Sequence, residues 1–293
     1  MASVSSSSPI SQQLSSAPSA IPAVGRVVAG RYRLLSLIGE GGWSHVYEAK
    51  DDQTGRTVVV KLLRSPDLDR RRFVRECSLS QEIVHPHVVQ VLDSCVDGAP
   101  VLILERLEGR TLREYLDILG SLHLRPALVL LDQVASALEA VHRAGVIHRD
   151  LKPSNVMVTV RGGELWTKLI DFGLGKAADS TTITDDGYCV GTPGYMAPEQ
   201  LYGTSHDPRT DIYAWGVLAY ELIAGTHPFP ADTEHEAIEA VLHRPPVPLS
   251  THRKVPQSLE RVVMRALRKN PVDRFPNVGL LRQALRFARP RHL

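Results

Sequence analysis

The chain has 293 residues, and 34 Lys and Arg against 32 Asp and Glu leave a formal charge of +2. That length admits one large domain or two ordinary ones, and 43% apolar residues suit a packed globular core. No run of about 18 apolar residues occurs, so nothing predicts a membrane span, and the near-neutral balance argues against a dedicated nucleic-acid binder.

Residues 1–25 are mostly Ser, Ala and Pro with no charged side chain. Such a stretch cannot offset its ordering entropy by burial, which predicts a disordered tail. It has neither the basic start and apolar run of a secretory signal nor the Arg of a transit peptide. From Arg31 short β-rich runs begin, and strands are predicted over 31–39, 44–50 and 57–63, with turn residues at 51–55. A helix is predicted over 68–83, stopped by His85-Pro86, and two further strands near 88–93 and 100–105. Cys77, Cys95 and Cys189 are too few for a disulfide scaffold and fit a reducing cytosol, and they lack the CxxC spacing of structural zinc.

After Gly109 the character turns helical. Leu128, Leu131, Ala135, Leu138 and His142 mark one helical face, with Gly145 as its stop. Asp211 is expected to N-cap a buried helix over 212–224, ended by Gly225. An amphipathic helix is expected over 258–269, halted by Asn270-Pro271. The outline is a β-rich part, a link near 106–109 and a larger helical part, with a ligand expected in the cleft between them.

Four motifs carry chemistry. Gly39-Glu40-Gly41-Gly42-Trp43-Ser44-His45-Val46 joins two strands, and its glycines let backbone N–H groups approach phosphate. The strand–loop–strand frame fits neither a Rossmann nor a Walker motif. Lys61 ends the apolar run Val58-Val59-Val60, where a lysine needs a partner, and Glu76 in the next helix offers one. His148-Arg149-Asp150-Leu151-Lys152-Pro153-Ser154-Asn155 packs several polar groups into one loop. Asp171-Phe172-Gly173 follows an apolar strand, a place that suits a hard-cation ligand.

In this order the motifs resemble the eukaryotic-like protein kinases, in particular the Ser/Thr kinases of bacteria, over about residues 31–289. Gly191-Thr192-Pro193-Gly194-Tyr195-Met196-Ala197-Pro198-Glu199, Asp211-Ile212-Tyr213-Ala214-Trp215-Gly216 and Asn270-Pro271-Val272-Asp273-Arg274-Phe275 extend the likeness. The resemblance implies an α+β bilobal fold: a small five-stranded antiparallel lobe with one helix (26–108), and a larger helical lobe (109–293). It implies ATP with Mg2+, protein substrates, no nucleic acid, a cytoplasmic setting and room for a homodimer that phosphorylates in trans.

The implied roles fall on matching positions. Gly39, Gly41 and Gly42 would cover the phosphates, and Lys61 would hold two of them while pairing with Glu76. Asn155 and Asp171 would bind Mg2+. Asp150 would accept the substrate hydroxyl proton, Lys152 would steady the transferring group, and Thr192 would bridge those two. Val46 and Val59 above and Met157 below would enclose adenine, Leu104 would stand behind it, and Glu105 and Leu107 would bond its edge. Glu199 and Arg274 match a buried ion pair.

Some positions depart from the family's pattern. Ser44 replaces the third glycine, Val59 is larger than the usual Ala, and Ser80 replaces an apolar residue. A polar Ser80 predicts a weakly held active arrangement. Arg149 before Asp150 implies control by loop phosphorylation, with Thr184 or Thr182 as the site and Asp186 as a partial phosphate mimic. The basic run Arg64, Arg70, Arg71, Arg72 and Arg75 reads as a solvated face, and His85-Pro86-His87 as a turn. The competing readings are a pseudokinase that serves as a binding module and a small-molecule phosphotransferase. The first is opposed by the presence of Lys61, Glu76, Asp150, Lys152, Asn155 and Asp171, the second by residues 191–199.

Overall fold

The computed structural model describes residues 23–41, 44–64, 70–171, 192–203 and 207–289. The tail expected over 1–25 lies outside them up to residue 22, as do Gly42, Phe172, Thr182, Thr184, Asp186 and Cys189.

The chain starts with β1 (Val27–Val28), β2 (Tyr32–Gly41), β3 (Ser44–Asp51) and β4 (Thr57–Leu63), followed by α1 (Arg70–Gln81), β5 (Val91–Asp97) and β6 (Ala99–Glu105). The sheet order is β1-β2-β3-β4-β6-β5, antiparallel throughout. Five of these strands match expectation and β1 is an addition. Two residues are too short to show a period of two, and β1 forms because Gly25 N–H and Arg26 O are bonded to Leu34 at 2.8 and 2.9 Å. The strand expected at 88–93 begins at Val91. Val88 instead makes a parallel bridge to Leu169.

Alternation along β3, β4 and β6 gives the sheet two different faces. Tyr47, Ala49, Val58, Val60, Val101 and Ile103 form one core with Tyr32 and Leu34. Cross-strand partners Val46↔Lys61 and Val59↔Leu104 share the other face. That face belongs with α1, whose Phe73, Cys77 and Ser80 are buried at helical spacing.

The second part starts with β7 (Arg110–Thr111), α2 (Leu112–Leu119) and α3 (Leu124–Arg143). Thr111 and Glu114 close a reciprocal capping box on α2. Gly109 cannot be replaced cheaply: its φ is +122°, and a Cβ would lie 2.3 Å from the Val158 carbonyl oxygen. The hairpin β8 (Val156–Arg161) and β9 (Glu164–Leu169) completes a three-stranded sheet with β7. Helices α4 (Pro198–Leu201), α5 (Arg209–Ala224), α6 (Glu234–His243), α7 (Gln257–Ala266) and α8 (Val278–Ala288) follow.

Helix α5 is the centre of this part: Thr210 through Ile223 are buried, as its all-round apolar sequence predicts. Its N-cap is Pro208, not Asp211. Asp211 sits in the first turn with its carboxylate spent elsewhere, as described below. Gly225 ends α5 in the left-handed conformation at φ +75°. Among the described residues no helix is long and apolar enough to cross a membrane.

Candidate active site

Where the sheet meets the helices, several expected residues come together. Lys61 points from β4 with its Nζ 2.5 Å from Oδ1 of Asp171. Asp171 follows β9 and takes a left-handed backbone, φ +56°, which turns its side chain away from the strand's own direction. Among the contacts of the described residues Lys61 pairs with Asp171, and the expected Lys61–Glu76 ion pair is not among them. Glu76 remains on the flank of α1, half-buried.

The loop after α3 carries the second group. Lys152 Nζ lies 3.2 Å from Asp150 Oδ2. Asn155 donates through Nδ2 to Asp150 O at 2.8 Å and to Oδ2 at 3.0 Å. Its backbone carbonyl takes the Ile170 N–H at 2.9 Å, which fixes this loop to the residue before Asp171. Thr192 does not join the group: it is exposed, and among the described residues its hydroxyl bonds neither Asp150 nor Lys152.

Buried groups hold this loop from behind. Arg149 has φ +62°, a conformation few side chains tolerate. Asp211 supports it by accepting the N–H groups of His148 and Arg149, both at 2.8 Å, and His142 Nε2 lies 2.7 Å from the same carboxylate. Burial alone would raise the Asp211 carboxyl, but bonds from His142 and His148 outweigh it and hold it below the usual range. His148 is fully buried, which lowers its imidazole. Its Nδ1 accepts the Asp150 N–H at 3.2 Å, so Nε2 carries the proton and donates to Ile170 O at 3.0 Å. Gln200 ties α4 to the loop by donating to Arg149 O at 2.9 Å.

The expected purine-facing residues divide. Val46, Val59 and Leu104 share the Lys61 face of the sheet. Met157 stands on β8 opposite Lys168 and, with Glu105 and Leu107, lines a cleft of about 350 Å³. The Glu105 N–H is committed to Gln90 O at 3.1 Å, and the Leu107 carbonyl accepts a close contact from Arg106. Glu105 therefore has no spare N–H for a ligand, and Leu107 has a carbonyl already in use.

The residues fit a magnesium-bound triphosphate. Neither Gly39 nor Gly41 has a positive φ, and a Cβ on Gly39 would meet Val46 only at 3.5 Å. Folding alone does not demand glycine there, so a bare backbone suits a ligand that approaches closely. Asn155 spends its N–H2 on Asp150, which leaves its amide oxygen, like the Asp171 carboxylate, a hard oxygen donor. No group of three or more His, Cys, Asp or Glu suited to a resident metal exists among the described residues.

Other expectations resolve as follows. Glu199 and Arg274 form a bidentate pair at 2.6 and 2.8 Å with Arg274 buried. Ser80 is buried and satisfied within its own helix, donating to Glu76 O at 2.8 Å. His85 and His87 are structural: His85 Nδ1 accepts the His87 N–H at 3.2 Å, and His87 Nδ1 meets Thr167 O at 2.9 Å. Arg64 lies 3.7 Å from Glu40, beside the glycine loop, and Arg75 is exposed. Asp211 as loop anchor, Gln200 and Lys168 were not foreseen. For Lys168 the signal existed: like Lys61, it is a lysine in an apolar strand.

A small sheet lobe set on a helical lobe, with a lysine–carboxylate pair at their junction, is the architecture of a protein kinase. The chain belongs to the protein kinase domain family, which matches residues 32–285. It is 40% identical over 265 residues to the serine/threonine-protein kinase pkn3 of Myxococcus xanthus, covering 86% of this chain and 48% of that protein. It is 36% identical over 269 residues to the serine/threonine-protein kinase PknA of Mycobacterium tuberculosis, covering 88% of this chain and 61% of that one. The chain thus spans about half the length of these relatives. A crystal structure of Rad53 in complex with AMP-PNP superposes with a TM-score of 0.72 at 23% identity, covering 87% of this chain and 64% of that one.

Proposed function

We propose that this chain is a Ser/Thr protein kinase that transfers the γ-phosphoryl group of ATP to protein serine or threonine hydroxyls. The observation that carries the reading is the Lys61–Asp171 pair standing next in the chain to Ile170, whose N–H bonds the carbonyl of Asn155 in the Asp150–Lys152–Asn155 group. Mg2+ supplies charge neutralisation across the phosphate oxygens. Asn155 and Asp171 hold it. Lys61 exchanges its contact with Asp171 for phosphate oxygens, as a compact cation can.

Asp150 takes the substrate hydroxyl proton on its carboxylate and aims the oxygen. Such base catalysis contributes only about 10²–10⁴-fold, so positioning and electrostatics supply the rest. Lys152 stands by Asp150 to offset charge on the transferring group. Val46, Val59, Leu104 and Met157 enclose the purine, with the Glu105 carbonyl and the Leu107 N–H at its edge.

The lobes divide at residues 26–108 and 109–293. Thr184 or Thr182 is autophosphorylated, the partner in trans being a second copy of the chain, and the setting is cytoplasmic. The test is incubation with labelled ATP and Mg2+, alone and with a basic protein, followed by phosphopeptide mapping. Label on serine or threonine supports the reading, and its absence from a nucleotide-binding protein makes the chain a pseudokinase.

A further inference from the structure

Glu105 ends β6, where the chain leaves the sheet lobe. Its carboxylate turns inward. Oε1 accepts the Gln90 N–H at 2.8 Å and makes a close contact with Lys168 Nζ. The Lys168 ammonium also donates to the Val88 carbonyl at 3.2 Å. Gln90 continues the chain of bonds, since its Nε2 donates to the carbonyl of Gln81, the last residue of α1, at 3.1 Å. The Lys168 side chain is only 13% exposed.

This placement has a cost. A strand lysine at a surface keeps its ammonium hydrated, whereas this one has exchanged water for one carboxylate and one carbonyl. Its position gives the exchange a use. Lys168 lies on β9, three residues before Asp171, and opposite Met157. The same strand is bonded to the turn after α1: Leu169 N–H donates to His87 O, and Val89 N–H to Leu169 O, both at 2.9 Å. One ammonium therefore joins the strand that carries Asp171 to the residue that begins the interlobe link.

We propose that Lys168 is a positioning residue for the nucleotide: by pairing with Glu105 it fixes the purine edge of the cleft at a set distance from the metal-binding carboxylate. The proposal rests on the kinase reading. A nucleotide held at both ends binds tightly only when those ends keep the right separation beforehand. Without the pair, the start of the link at 106–109 loses its tie to β9, and each binding event must order it again.

The test measures the affinity of AMP-PNP with Mg2+ for the full chain by calorimetry. Lys168→Met and Glu105→Gln should each weaken binding about tenfold, the scale of one lost charge-assisted hydrogen bond. The double variant should lose no more than either single one, because both remove the same interaction. Lys168→Arg should restore affinity to within about twofold, since a cationic donor is retained. The fitted binding stoichiometry should stay at the wild-type value in all of them, whereas a general loss of folding would lower it. Wild-type affinity in Lys168→Met, even with a lowered melting temperature, would overturn the proposal. So would losses in the double variant that multiply. Failure of the wild-type chain to bind AMP-PNP at all would instead sink the kinase reading itself.

Discussion

Lys61 Nζ and Asp171 Oδ1 lie 2.5 Å apart, each the other's counter-ion across the cleft between the lobes. This pairing makes both groups sensitive to the loss of either. Asp171→Asn should leave the fold intact and cut phosphoryl transfer by at least about 10²-fold, the scale of removing one preorganised electrostatic group. The dependence of nucleotide binding on Mg2+ should fall with it. Calorimetric titrations with and without Mg2+ check this, and an unchanged Mg2+ dependence would remove Asp171 from the metal site.

Arg274 is buried against Glu199, and it also donates to the carbonyls of Arg268, Arg209 and Lys269. Arg274→Ala should therefore destabilise the chain by about 3–5 kcal/mol, because a carboxylate is left buried and several carbonyls lose their donor. Urea unfolding measures it. A loss under about 1 kcal/mol would mean that water replaces the guanidinium freely.

Asp211 is fully buried and accepts two backbone N–H groups of the loop after α3. Asp211→Asn keeps the shape and removes the charge. Loss of charge-assisted bonds should cost about 1.5–3 kcal/mol of stability. It should also relax Arg149 from its left-handed backbone, lowering kcat about tenfold with little change in ATP affinity. Steady-state kinetics separate the two parameters, and a change in affinity alone would contradict the account.

Four imidazoles, His85, His87, His148 and His227, are held below their usual range by burial. In the unfolded chain each returns to about 6.5 and takes a proton first as pH falls. Stability is thus fully present above about pH 7 and is lost as pH drops below 6.5, at up to about 1.4 kcal/mol per pH unit for His148 alone. Denaturant midpoints between pH 7.5 and about 5 test this. A flat profile would show that these rings take up protons equally in the folded and the unfolded chain.

Much of the fold was legible because its signals are local. Alternation in β3 and β4 and the stripe on α3 each declare one buried face within a single segment, and the all-apolar α5 declares burial all round. Strand β1 and strand β8 were not announced in that way. The first is two residues long, and the second is defined by pairing across Gly162-Gly163. The site showed the same division. Lys61, Asp150, Asn155 and Asp171 stand in recognisable strings, but no string records which carboxylate Lys61 meets, since Asp171 lies 110 residues away in sequence. The residue type and place of Asp211 fit a helix cap, but Pro208 caps α5. The real partners of Asp211 lie 62 and 63 residues away in sequence.

The most direct test of the central claim is transfer of labelled γ-phosphate in the presence of Mg2+, comparing the wild-type chain with Asp150→Asn. The account predicts label on serine or threonine of the chain and of an added basic protein. It predicts a loss of at least about 10²-fold in the variant, with nucleotide affinity retained. Transfer at the wild-type rate by Asp150→Asn, or none by a wild-type chain that binds nucleotide, would contradict it.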